Sequence, residues 1–191
     1  LSTLILPTSG EVEINNLDLV KDSSKIKEII NISPQETAVA SNLTVLENLY
    51  FMAGIYQIPN KEDKIKELIK LFKLEEVLKQ KAKTLSGGYQ RKLSIAISLI
   101  NSPKILFLDE PTLGLDVISR HDLWNVIESL KGNTTIILTT HYMEEAEKLS
   151  DRIGIMNKGK LIELGTAKEL IKKKKAKTFE DAFIKTIEED N

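Results

Sequence analysis

The sequence predicts an α/β domain built on a mostly parallel sheet, with a helical lobe inserted into it. Two observations carry this. Apolar, β-branched runs bounded by turn residues alternate with segments of helical periodicity, the pattern of strands joined by helical crossovers. Between the second and third of these runs lies a long stretch without strand character but with apolar residues at helical spacing. The composition agrees: of 191 residues, 41% are hydrophobic and 29% charged, which suits a folded domain with an inserted lobe and excludes a disordered tail.

Taken in order, strands are expected at residues 11–14, 29–33, 104–109, 134–140 and 152–156. The last runs into the turn signal Asn157-Lys158-Gly159-Lys160 and then residues 161–164, so these two form a hairpin at the domain edge. In the inserted stretch, residues 61–81 place Ile65, Leu68, Ile69 and Phe72 at helical spacing, and residues 87–100 read as a second helix with Ser86 as its N-cap. Asp116 caps a further helix whose apolar face of Leu123, Val126, Ile127 and Leu130 ends at Gly132. Trp124 reads as core or interface packing, and the lysine run at 172–175, close to Glu180 and Asp181, as a solvated helix face. The resulting division is an α/β core at residues 1–40 and 102–165, a helical lobe at 41–101 and a helical extension at 166–191.

Charge and composition narrow the function. Lysine plus arginine (27) nearly cancel aspartate plus glutamate (28), leaving a net charge of −1 and no overall basic field for a phosphate backbone, so no nucleic-acid partner is expected. The absence of cysteine excludes a disulfide framework, a thiolate metal site and a cysteine nucleophile. The longest apolar runs, such as residues 95–100, fall far short of the roughly 20 residues of a membrane-spanning helix. The first residue, Leu1, carries neither a methionine nor a signal-peptide pattern and reads as a cut.

Two segments carry chemistry. Lys104-Ile-Leu-Phe-Leu-Asp109-Glu110-Pro111 is an apolar strand delivering two carboxylates at its C-terminal end, where ligand crevices of open parallel sheets lie. One carboxylate can hold a hard Mg²⁺ while its neighbour orients and deprotonates a water. By itself Asp-Glu-Pro is also ordinary turn chemistry. Leu85-Ser86-Gly87-Gly88-Tyr89-Gln90 leaves backbone N–H groups uncovered at a helix start, which suits a phosphate and equally a plain helix cap.

Together these segments resemble the motifs of ABC-type ATPases. Leu85 to Gln90 is similar to their signature motif, with Tyr89 where many signatures have glutamine, and Ile105 to Glu110 to their Walker B strand with its adjacent glutamate. Thr112-Leu113-Gly114-Leu115-Asp116 resembles the D-loop, His141 the switch histidine, and Ser33-Pro34-Gln35 the Q-loop at the end of a strand. The resemblance extends from Pro7 to about Gly165. Leu43-Thr44-Val45-Leu46-Glu47-Asn48-Leu49 and His141-Tyr-Met-Glu-Glu-Ala-Glu147 look most like ATPase subunits of drug-export and related ABC-2-type transporters.

The resemblance implies roles. Asp109 holds Mg²⁺; Glu110 is general base for attack of water on the γ-phosphate of ATP; His141 contacts that phosphate and holds the active geometry; and Gln35 touches the metal or the attacking water and reports the nucleotide state to a membrane partner. Ser86, Gly87, Gly88 and Asp116 meet the nucleotide held by the other subunit of a head-to-tail dimer. The partners implied are membrane-spanning transporter subunits, with the ATPase peripheral on the cytoplasmic face of the membrane. Tyr50, Phe51 and Tyr56 read either as the docking face for those subunits or as core packing. His121, on a helix without a matching motif, reads as structural.

One motif is missing. No G-x-x-x-x-G-K-[ST] occurs in the chain, and that loop cradles the phosphates of a nucleotide in this fold. Residues 1–10 resemble the end of the helix that follows the loop, so the central P-loop strand is expected to be missing as well. Three lost charge-assisted hydrogen bonds cost at least ~4.5 kcal/mol, or about a thousandfold in affinity. The sequence is therefore read as a fragment of a complete ATPase, or else as a non-hydrolysing remnant acting as a binding module. A soluble ABC ATPase of translation or DNA repair fits less well with the transporter-like segments.

Overall fold

The computed structural model describes residues 2–190; Leu1, where the cut was read, lies outside them. The chain forms two compact units, divided between Thr139 and Thr140.

The first unit opens with bends. Residues 2–10, which the resemblance places at a helix end, form no helix; a stretch this short does not nucleate one unaided. A tight hairpin follows, β1 (Glu13–Ile14) and β2 (Leu17–Asp18), turning through Asn15 and Asn16 at φ 52° and 61°. Asparagine tolerates this left-handed conformation. The strand expected at 11–14 is therefore a short arm of a separate sheet. The helix α1 (Ser23–Ile29) runs directly into β3 (Ile30–Ser33), so Ile29 closes a helix instead of opening a strand. Ile14, Leu19, Ile26 and Ile30 form one core with Ile105 and Phe107 packed against it.

The core sheet has the order β3-β4-β5, with β4 (Ile105–Asp109) between β3 and β5 (Thr135–Thr139), and both pairings are parallel. Ser33 pairs with Leu108 and Asp109 with Thr139, so all three strands end on the same edge. The expected α/β class with a parallel sheet is thus observed.

The inserted helices α2 (Val45–Ile55), α3 (Lys61–Phe72) and α4 (Gly87–Ser98) pack on one another and bury Val45, Leu49, Ile65, Leu68, Phe72 and Leu93. A capping box starts α2: Thr44 Oγ1 accepts from Glu47 N–H while Glu47 Oε2 accepts from Thr44 N–H. Buried Asn48 ties down the preceding loop, donating to the carbonyls of Ala40, Leu43 and Thr44 and accepting from Ala40 N–H. The helix expected over 61–81 stops at Phe72, where Lys73 turns to φ 53° and donates back to Ile69 and Lys70. The remainder forms short 3-10 turns at Glu75–Val77 and Ala82–Thr84 that bury Val77 and Ala82. In α5 (Val117–Leu130), Leu123, Trp124, Val126 and Ile127 are buried, so Trp124 belongs to the core.

The second unit contains α6 (Met143–Leu149), the antiparallel hairpin β6 (Ile153–Asn157) and β7 (Lys160–Gly165), then α7 (Ala167–Lys173) and α8 (Phe179–Glu189). Its turn residues Lys158 and Gly159 both take positive φ, 46° and 78°, the conformation that matches strand twist in a two-residue hairpin. Ile153, Ile155, Leu170 and Phe179 form this unit's own core, with Phe183 and Ile187 of α8 against it. The lysine run is not wholly solvated: Lys174, 10% exposed at its side chain, lies between Glu163 and Glu189. Among the described residues no helix is long and apolar enough to cross a membrane.

Candidate functional site

The site begins where β4 ends. Asp109 closes the strand with an exposed side chain, and Thr139 Oγ1 donates to its Oδ1 at 2.5 Å across the β4–β5 pair. At Glu110 the chain takes φ 46°, a conformation rare for a residue with a side chain. Two bonds fix it there: Glu110 N–H donates to Thr139 O at 3.0 Å, and Glu110 O accepts from Leu113 N–H at 3.2 Å. Such backbone strain costs roughly 1–3 kcal/mol and clusters at functional sites. Glu110 Oε2 is shielded from solvent.

The exit of β3 is drawn to the same place. Gln35 is exposed, but its carbonyl accepts from Arg91 Nη1 at 3.3 Å, and Pro34 O accepts from the same nitrogen. Arg91 Nη2 donates to Asp109 O at 2.6 Å and Nε to Pro111 O at 2.8 Å. One buried guanidinium on α4 thus joins the ends of β3 and β4, and brings the backbones of Gln35 and Asp109 together.

Two helix starts lie beside each other. Ser86 Oγ accepts from Tyr89 N–H at the head of α4, as its capping role requires, and Ser86 and Gly87 are exposed. At the head of α5, Asp116 Oδ1 accepts from the N–H groups of Ile118 and Ser119, and Ser119 Oγ donates to Oδ2 at 2.6 Å. The Ser119 hydroxyl first, then these amides, hold the Asp116 carboxyl below the usual carboxylate range. Asp116 is therefore engaged in capping its own helix. A Cβ on Gly88 would stand 3.0 Å from Ser119 Oγ, so glycine there lets the two helix starts meet. His141 belongs to the second unit, exposed, its ring 4.3 Å between centroids from Tyr142.

The ABC transporter family model matches residues 1–113, which include Ser86, Gly87, Gly88, Asp109 and Glu110. The chain belongs to the ABC transporter family. Phospholipid-transporting ATPase ABCA3 of Homo sapiens is 41% identical over 163 residues, covering 84% of this chain and 10% of its own length. ABC transporter A family member 12 of Arabidopsis thaliana is 43% identical over 171 residues, 87% of this chain and 19% of its own length. The chain spans between a tenth and a fifth of these relatives. It is an ABC nucleotide-binding domain homologous to the ABCA-type ATPases. A solved ATP-binding subunit of an ABC transporter superimposes with a TM-score of 0.85 at 24% identity over 97% of this chain and 80% of its own, and shares the fold. An ATP-binding cassette solved as a dimer in a post-hydrolysis state with ADP and Pi gives a TM-score of 0.75 at 28% identity, over 86% and 76%.

The residues of this ABC domain suit a magnesium that arrives with nucleotide. Magnesium takes one or two protein oxygens and completes its shell with phosphate and water. Asp109 and Gln35, at neighbouring strand ends, offer such a set. Among the described residues no three His, Asp or Glu gather into a self-sufficient metal site. For phosphate, the start of α4 offers N–H groups, whereas the phosphate-cradling motif is not in the sequence.

Sequence reasoning missed Arg91, Thr139 and Ser119. Ser119 was within reach, because a serine three residues after an N-cap aspartate is placed to bond it. Arg91 and Thr139 act on partners at least 18 residues away, and no local pattern marks them.

Proposed function

We propose that these residues belong to the ATP-binding and ATP-hydrolysing subunit of an ABC transporter that drives export, docked on the cytoplasmic face of its membrane-spanning subunits. The observation that carries the reading is the common edge where β3, β4 and β5 end, with Gln35 beyond the first, Asp109 and Glu110 at the second and Thr139 at the third, and with α4 joined to it through Arg91.

In this reading Glu110 orients a water and accepts its proton, and its constrained backbone holds the carboxylate in place. Asp109 and Gln35 hold magnesium, which when bound offsets charge on the phosphates. Ser86, Gly87 and Gly88 aim N–H groups at nucleotide on a second subunit, and Asp116 shapes that face by capping α5. The exposure of Leu113, Val117 and Ile118 beside these helix starts supports a face made for another protein. The role of His141, contact with the γ-phosphate, rests on its motif alone. Exposed Tyr50, Phe51 and Ile55 on α2 support docking of a membrane subunit on the lobe.

Completing the site takes a phosphate-cradling loop and a further parallel strand beside β5. Pairing of β5 with β4 alone among the described residues supports this. The missing motif favours a second reading, a non-hydrolysing module that docks through its lobe.

Phosphate release in steady state tests both. The 191-residue chain alone is expected to show no magnesium-dependent hydrolysis, whereas a complete protein carrying the loop turns ATP over and loses about a hundredfold or more in kcat with Glu110→Gln. Turnover by the chain alone that disappears in Glu110→Gln contradicts the need for the loop. An unchanged rate in the complete Glu110→Gln protein removes that glutamate from the mechanism. The name of the human relative makes phospholipid the first class of transported substrate to assay.

A further inference from the structure

We infer that Arg91 is a positioning residue that fastens α4 to the ends of β3 and β4, so that Gln35 and the Asp109-Glu110 pair keep one register with Ser86, Gly87 and Gly88. The inference rests on the ATPase reading for its consequence in turnover, but its geometry stands apart from it.

Arg91 is 4% exposed, and a buried charge is costly unless hydrogen bonds replace its water. Four main-chain carbonyls accept from it: Pro34 and Gln35 just past β3, Asp109 at the end of β4, and Pro111 two residues on. These loops carry the candidate side chains. A planar guanidinium reaches segments in three directions from one fixed centre, which a lysine ammonium on a flexible stem does not reproduce.

The same face of α4 repeats the contact one turn later. Ser94, at i+3 from Arg91, accepts from Ala38 N–H at 3.3 Å, and its hydroxyl lies 3.4 Å from that of buried Ser33 at the end of β3. Lys92, the neighbouring buried cation, acts differently, bonding Asp122 on α5 at 3.2 Å. Anchoring α4 to another helix and fastening it to the strand ends are thus assigned to adjacent residues. Any displacement of the start of α4 is passed through Arg91 to both loops at once.

Amide hydrogen exchange in the chain, read at Ala38 and Leu113, tests the fastening. Arg91→Lys is expected to raise exchange at both sites by about tenfold or more, the change for one lost charge-assisted hydrogen bond, while α3 and the interior of α5 keep their protection. Ser94→Ala is expected to open Ala38 alone, and Lys92→Gln neither site. In the complete ATPase, Arg91→Lys then lowers kcat by a similar factor with KM for ATP unchanged, and cooling does not restore it. Exchange that rises throughout the unit, or at one loop only, shows a merely structural arginine and overturns the inference, as does full kcat with both loops open. Should Arg91→Lys fail to fold, protection of Ala38 unchanged in Ser94→Ala would overturn the fastening face. If the unsubstituted complete protein does not hydrolyse ATP, the ATPase reading fails and the exchange result alone decides the role of Arg91.

Discussion

β4 and β5 are adjacent parallel strands of similar apolar character, yet β4 buries Leu106 and Leu108 completely while their register partners on β5, Ile136 and Leu138, are only half-buried, and Ile137, opposite half-buried Phe107, is 37% exposed. The difference lies in pairing. β4 has a parallel partner on each side, and β5 has one among the described residues. Parallel strands are ordinarily covered on both faces and read as continuous apolar runs, so β5 carries the composition of an interior strand in an edge environment. The end of β4 is accordingly held from both flanks, Arg91 donating to the main-chain carbonyl of Asp109 on one side and the Thr139 hydroxyl to its carboxylate on the other.

Removing side chains from the two strands sharpens this contrast. Leu106→Ala leaves a cavity and is expected to cost about 2–5 kcal/mol, against about 1 kcal/mol or less for Ile137→Ala, which loses partly hydrated surface. Urea unfolding of the two variants measures both, and equal costs would break the comparison. A smaller effect is expected across the pair itself: Thr139→Val keeps the shape but removes the hydroxyl that donates to Asp109, for about 0.5–1.5 kcal/mol in the same experiment. No loss in Thr139→Val would mean that β5 does not hold the β4 carboxylate.

The parts of the fold legible in the sequence are those with local causes. Ser86 and Asp116 were readable as caps because an N-cap bonds amides two or three residues on, and Lys158-Gly159 as a turn because of the backbone it demands. The acid pair was readable from the apolar run before it. The helix expected to reach residue 81 failed because nothing in the composition of residues 73–81 forbids a helix; burial of Leu74 and Val77 turns the chain instead. The hairpin at Asn15-Asn16 and α1 are too short for periodicity to register. Arg91 was silent for a different reason: its acceptors are carbonyls, which every residue has. Leu43 to Leu49, read as a transporter-like segment, has a structural account in the Thr44–Glu47 capping box and the ties of Asn48.

Closure of two copies on ATP is read most directly by size-exclusion chromatography of the complete Glu110→Gln protein, with and without ATP. Blocked hydrolysis is expected to leave a stable dimer that forms with ATP alone and disappears when Ser86→Phe obstructs the start of α4. A dimer that persists without nucleotide, or survives Ser86→Phe, would contradict a site shared between the acid pair of one copy and the signature helix of the other.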